Sequence, residues 1–305
     1  CSSDLYHIAT TGRRGPVLID LPMNIQRSEV ENPVYDMTFE DKHTDVVAAQ
    51  QAADTILEAL EQAKRPVIML GHGVDSSFSQ QKLIRFAQKR QIPIITSVLA
   101  KSVLGYDHPL NFGCIGGAYG HRYANMIANA KSDLLLCFGI SLCTRQIGTK
   151  VHEFARGAKI IRIDIDPYNL QRDIHENGIN EVKLQAETGA VIDCLAKAAA
   201  PDTEGISDWL NVCTEIKENL QAVDDATPER YPNRMIADLS DMLEDTSAIA
   251  VDVGQHMVWS YQSFKNHEGQ KLLFSGGHGA MGYGLPAAIG AYYATGKPTA
   301  CICGD

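Results

Sequence analysis

Three short stretches near the end of the sequence carry residue types that handle phosphates and divalent ions. The first is Ser275-Gly-Gly-His-Gly-Ala-Met-Gly-Tyr-Gly284, with five glycines in ten residues, between an apolar run and an Ala-rich helical pattern. Glycine lets backbone approach a ligand closely and aim its N–H groups at it, and a helix start favours anions. A tight strand-to-helix crossing that needs small residues accounts for the same letters equally well. The second is Val251-Asp-Val-Gly254-Gln255-His256, which closes one apolar run and opens a helix pattern. Gln255 and His256 at a helix start can donate to phosphate oxygens, or simply cap the helix. The third is Gly304-Asp305 after another apolar run. A carboxylate at a strand end suits Mg²⁺, which keeps water and phosphate oxygens for the rest of its octahedron.

The elements that must position these stretches follow from hydrophobic periodicity. Apolar runs at 17–21, 67–70, 93–96, 134–138, 160–165, 249–253, 271–274 and 299–303 are expected to be strands, with a further one near 182–184. Many are continuous rather than alternating, which is how parallel strands covered on both faces look. Helical patterns intervene: Val46, Ala49, Ala53, Ile56, Leu57 and Leu60 share a face before Pro66, and Leu83, Ile84 and Ala87 do so before Pro93. Strand and helix in alternation predict an α/β fold with doubly wound parallel sheets. Four segments are expected: 1–36 as the tail of one domain, 44–198 as a complete central domain, 199–234 as a polar surface linker carrying a short helix around Trp209, and 235–305 as the start of another domain. Position 1 is Cys, and the sequence stops at a strand-end Gly-Asp, so an internal piece of a longer protein is expected.

Composition narrows the function classes. Hydrophobic residues make up 45% and charged residues 21% of 305 residues, which excludes a disordered or coiled-coil chain. Twenty-seven basic against 37 acidic residues, net −10, argues against a nucleic-acid partner. The longest apolar run, 134–140, falls far below the roughly 20 residues of a membrane span. Eight cysteines, several beside apolar segments, are expected to be free thiols in a reducing cytoplasm. Cys301-x-Cys303 lacks a second Cys/His pair for zinc, and the ten histidines show no metal-ligand spacing.

Taken in order, the three stretches resemble the pyrophosphate-binding domain of thiamine-diphosphate enzymes, and within them the acetolactate synthase (acetohydroxyacid synthase) large-subunit family. The resemblance covers the whole chain. Thr11-Gly-Arg-Arg-Gly-Pro-Val-Leu-Ile-Asp-Leu-Pro22 is similar to the end of that family's pyrimidine-binding domain. Lys64-Arg-Pro-Val-Ile-Met-Leu-Gly-His-Gly73, Asp107-His-Pro109 and Ile163-Asp-Ile-Asp-Pro167 are similar to its central domain. What this implies is thiamine-diphosphate- and Mg²⁺-dependent decarboxylation of a 2-keto acid, pyruvate first among them. Carboligation to a second keto acid follows, in branched-chain amino acid biosynthesis. By the same resemblance Gly254, Gln255 and His256 contact the diphosphate, and Gly279 and Ala280 approach the cofactor. Met281 is the apolar wedge that bends it, Asp305 is the first Mg²⁺ ligand, and Met281 and Gln255 stand nearest the chemistry. The activating Glu of the family lies outside this chain and comes from another subunit, which implies a homodimer or homotetramer, with a regulatory subunit possible.

Many family members also bind FAD in the central domain. The matching places are Arg13 or Arg14, Gly71-His72-Gly73, 96–98, 116–121, Gly139 to Arg145, and Asp164-Ile-Asp166. Here His72 interrupts a family triple glycine, and Ser141-Leu-Cys-Thr144 replaces an Arg and two acidic residues, keeping only Arg145. FAD, another nucleotide, or a remnant of the pocket all remain open. So do two other functions: a related thiamine-diphosphate decarboxylase or lyase of specialised or polysaccharide biosynthesis, and a non-catalytic nucleotide-binding module.

Overall fold

The computed structural model describes residues 2–29, 45–74, 77–198 and 206–304. Its larger sheet is six-stranded and all parallel. The strands are β1 (Pro66–Leu70), β2 (Ile94–Thr96), β3 (Asn111–Cys114), β4 (Leu134–Phe138), β5 (Lys159–Asp164) and β6 (Glu181–Gln185). Their spatial order is β3-β2-β1-β4-β5-β6. The chain therefore winds outward one way from β1 and the other way from β4, leaving a crevice between their C-terminal ends where such sheets bind ligands.

The continuous apolar strands serve two cores at once. Ile68, Leu70, Leu134 and Leu136 face helices Val46–Gln62, Ser77–Lys89 and Thr188–Lys197. Val67, Met69, Leu135 and Cys137 face the opposite core with Ile127, Trp209 and Cys213. Asp45 caps the first of these helices by accepting from the Ala48 N–H at 2.9 Å.

A second parallel sheet, ordered β8-β7-β9, consists of β7 (Ala248–Val251), β8 (Lys271–Phe274) and β9 (Thr299–Ile302). Helices Pro232–Met242 and Gln255–Ser263 pack on each other and on its core, and Gly284–Thr295 packs on β7 and β9. Hydrogen bonds join the two sheets' units: Tyr106 N–H donates to Asn266 O at 2.8 Å, and the buried Asn266 Nδ2 donates to Leu104 O at 2.9 Å.

The structure departs from the expected elements in three places. Residues 17–21 form no strand; Leu18 is 89% exposed, and among the described residues nothing pairs with this segment. Strand β3 was absent from the sequence expectation because Asn111 and Gly113 break its apolar run; it is held by pairing with β2 across an irregularity, with Gly113 at φ +71°. The stretch 199–234 is not a surface linker throughout. Its helix Ile206–Asn219 seals one face of the larger sheet through Trp209, 3% exposed, whose indole N–H donates to Pro66 O at 3.0 Å. The helix Pro232–Met242 starts inside the same stretch and belongs to the smaller sheet's unit, where Asn233 donates to Ser263 Oγ at 2.8 Å.

Candidate functional site at the ends of the smaller sheet

The expected phosphate-handling residues meet where β7, β8 and β9 end. Asp252 follows β7, and its carboxylate accepts three backbone N–H groups: Val253 at 2.6 Å, Gly282 at 3.0 Å and Gly284 at 3.0 Å. These donors, the Val253 and Gly284 N–H groups foremost, hold the Asp252 carboxyl below the usual carboxylate range. The carboxylate thus ties the glycine-rich loop to the strand beside it. Ser275 shapes the loop's other end: its O accepts from Gly279 N–H at 2.9 Å and its Oγ from Ala280 N–H at 3.0 Å. Gly279 at φ +76° and Gly282 at φ +80° occupy the left-handed region, where a side chain is strained. At Gly284 the need is space instead. A Cβ there would stand 3.0 Å from Asp252 N and 3.1 Å from Cys301 Sγ.

His256 lies folded against two glycines. A Cβ on Gly254 would meet its Cε1 at 2.6 Å, and one on Gly304 at 3.3 Å. The imidazole therefore occupies the notch between the ends of β7 and β9, and its Nε2 is buried without a hydrogen-bond partner. A buried polar atom of this kind costs about 1–3 kcal/mol unless something satisfies it. Gln255 and Ala280 are exposed at the same end, and Met281 is 86% exposed at the loop tip. Asp305 falls outside the described residues. The orphan nitrogen, the glycine notch and the helix start at Gln255 together fit an anionic phosphate group.

Of the expected site residues, these six, Gly254, Gln255, His256, Gly279, Ala280 and Met281, share this end of the sheet. The others sit at the larger sheet. Gly71 N–H donates to Phe138 O at 2.9 Å, Gly73 N–H to Gly139 O at 3.0 Å, and Gly139 N–H to Ile163 O at 3.0 Å. A Cβ on Gly71 would stand 2.0 Å from Gly139 O. The β1 and β4 loops are thus interlocked backbone to backbone at the switch point. Asp164 Oδ1 accepts from Asp166 N–H at 2.9 Å and its Oδ2 from Asn169 Nδ2 at 3.2 Å, which closes its own turn. Arg13 is ion-paired with Asp166. Arg145 Nη1 donates to Gly277 O at 3.1 Å, reaching the glycine-rich loop of the other sheet. His72 is exposed. The N–H groups of Gly71, Gly73 and Gly139 are thus paired within the chain and offer nothing to a flavin diphosphate.

The motifs contain Asp252 and Ser275 without marking a role for either. A carboxylate directly after a buried apolar strand was the available signal for Asp252. Arg145's contact with the other sheet had no sequence signal, since 132 residues separate donor and acceptor. A cavity of about 720 Å³ lies elsewhere, between the two units. Asp107, Glu218, Asp224, Asp225, Asp238 and Asp241 line it. Arg234 and Lys265 line it too, paired with Asp238 and Asp241, so the lining stays net acidic and disfavours a diphosphate.

Two family models match the chain: "Thiamine pyrophosphate enzyme, central domain" over residues 53–195, and "Thiamine pyrophosphate enzyme, C-terminal TPP binding domain" over residues 252–305. The chain belongs to the thiamine pyrophosphate enzymes, and its two sheets are parts of that family's central and pyrophosphate-binding domains. Among curated relatives, a probable acetolactate synthase large subunit of Methanocaldococcus jannaschii is 33% identical, over 97% of this chain and 51% of that protein. The acetolactate synthase isozyme 1 large subunit of Escherichia coli is 30% identical over 99% of this chain and 52% of its own length. An acetolactate synthase large subunit of Corynebacterium glutamicum is 32% identical over 95% and 46%. The chain spans about half the length of these relatives.

Proposed function

We propose that the complete protein is a thiamine-diphosphate- and Mg²⁺-dependent carboligase of the acetolactate synthase type, decarboxylating pyruvate and joining the remaining two-carbon unit to a second keto acid. The observation that carries this is the unpartnered Nε2 of His256 in the notch made by Gly254 and Gly304. When bound, thiamine diphosphate supplies the electron sink for decarboxylation and carbon–carbon bond formation. In this chain Gly254, Gln255 and His256 take the diphosphate, with Nε2 donating to a phosphate oxygen. Asp305 is the metal ligand. Asp252 and Ser275 position the loop that brings Gly279 and Ala280 to the cofactor, and Met281 packs against it as the wedge. The relatives' "large subunit" names support a smaller partner, and the family's shared-subunit site supports a homodimer or larger. Seven free thiols among the described residues suit a cytoplasmic location. No described helix is long and apolar enough to cross a membrane.

The test is pyruvate turnover by the complete protein with thiamine diphosphate and Mg²⁺. Acetolactate is the expected product, and residues 1–305 alone are expected to form none. Carbon dioxide release without acetolactate moves the protein to the decarboxylases. No turnover, with the cofactor bound, leaves a binding module and overturns the proposal.

A further inference from the structure

Cys301, at the end of β9, and Cys303, just beyond it, are i and i+2, so a strand projects them to one side. Their Sγ atoms lie 3.1 Å apart, the sole such thiol pair among the described residues. Cys114, Cys137 and Cys213 are buried singly in the larger sheet's unit. Cys301 is half-buried, and its Sγ lies 3.1 Å from where a Cβ on Gly284 would stand, at the start of the helix Gly284–Thr295. Cys303 is exposed. No group of three or more His, Cys, Asp or Glu side chains placed to hold a metal exists among the described residues, so two thiols without further ligands favour redox chemistry over zinc.

We propose that Cys301 and Cys303 form a reversible dithiol–disulfide couple beside the phosphate notch, oxidised by small disulfides of the glutathione class. Closure needs the sulfurs to approach by about 1 Å, to the roughly 2.05 Å of a disulfide. The exposed Cys303 sulfur attacks one sulfur of the small disulfide, whose other half leaves as a thiol after taking a proton. Cys301 then gives up its proton and attacks the mixed disulfide at the Cys303 sulfur, forming the Cys301–Cys303 bond and releasing the second small thiol. Two protein thiols are oxidised and one small disulfide is reduced to two thiols, so electrons and protons balance.

Closure tightens the chain across Ile302 directly before Gly304, which borders the His256 imidazole. It therefore changes the notch that the proposed function assigns to the diphosphate; this consequence rests on that assignment, whereas the couple itself does not.

The experiment equilibrates the complete protein with glutathione and glutathione disulfide at several ratios, traps thiols with N-ethylmaleimide and maps peptides by mass. The expected peptide spanning 301–303 has lost two hydrogens and carries no glutathione. Cys301→Ser is expected to stop at a glutathione adduct on Cys303, while Cys303→Ser is expected to react slowest. Independent adducts at both residues, or two unmodified thiols at every ratio, overturn the couple. Thiamine diphosphate affinity is measured in parallel and is expected to fall about fivefold or more in the oxidised form. Equal affinity in both forms overturns the link to the notch. No binding in either form sinks the cofactor assignment and leaves the couple to be decided by the masses.

Discussion

Both sheets end in glycine-rich loops, and the two sets of glycines do opposite things. At the larger sheet, Gly71, Gly73 and Gly139 let two loops press backbone against backbone where β1 and β4 end. At the smaller sheet, Gly254 and Gly304 make room for one imidazole, and that ring keeps a buried nitrogen without a partner. A fold that joins its own loops satisfies its polar groups. A fold that prepares for an anion leaves a donor and stabilises it only when the anion arrives. What distinguishes the two is the atom standing where a Cβ would be: a carbonyl oxygen in one case, a polar side chain facing the notch in the other.

The strongest way to break this contrast is at the interlocked loops. Gly71→Ala puts a methyl on the Gly139 carbonyl and is expected to destabilise the protein by more than about 4 kcal/mol, or to prevent folding. Gly277→Ala, in the glycine-rich loop, meets no atom within 4 Å and is expected to change stability by less than about 0.5 kcal/mol. Denaturant unfolding of both variants decides, and equal costs would show that the interlock is not what those glycines are for.

A smaller effect separates Asp252 from its amide isostere. Its lowered pKa means that the native state binds fewer protons than the unfolded state between the two pKa values. The charged form therefore stabilises the fold above about pH 4, and that stabilisation is lost as pH falls through the lowered value. The gap in denaturation midpoint between the parent and Asp252→Asn is expected to be widest near neutral pH and to close below about pH 4. A gap independent of pH would mean that the three N–H groups are held without the charge.

The smallest effect on stability is expected at Met281. Fully exposed at the loop tip, it should tolerate Met281→Ala within about 0.5 kcal/mol. In the complete protein the same change is expected to lower kcat, since a displacement of order 1 Å can cost about a hundredfold in rate. Met281→Leu, close in volume, is expected to keep most activity. Parental turnover in the alanine variant would remove the wedge assignment.

Much of this architecture was legible because periodicity is local. The runs at 67–70 and 134–138 are apolar at every position, and both faces of their strands are covered. The run at 17–21 is apolar except for Asp20, but a strand needs a neighbour, and none of the described residues supplies one. Strand β3 was hidden for the converse reason: Asn111 and Gly113 are kept in a sheet by β2, not by their own preference. For the site, the motif letters located the notch but not the job of each glycine. Gly71 and Gly254 both lie in strand-to-helix turns, and only the approach of the β4 loop makes one of them a joint. The role of Asp252 was equally out of reach, because the N–H groups of Gly282 and Gly284 come to it from thirty residues away.

The central claim is that His256 waits for a phosphate oxygen, and titration calorimetry of thiamine diphosphate with Mg²⁺ into the complete protein tests it most directly. His256→Leu removes an unsatisfied buried nitrogen, so its cofactor-free melting temperature is expected to equal or exceed that of the parent. Its affinity for thiamine diphosphate is expected to fall by roughly tenfold or more, the worth of one hydrogen bond to a charged group of about 1.5–3 kcal/mol. An unchanged affinity, with the cofactor still bound, would contradict the claim and leave His256 a packed ring between two glycines.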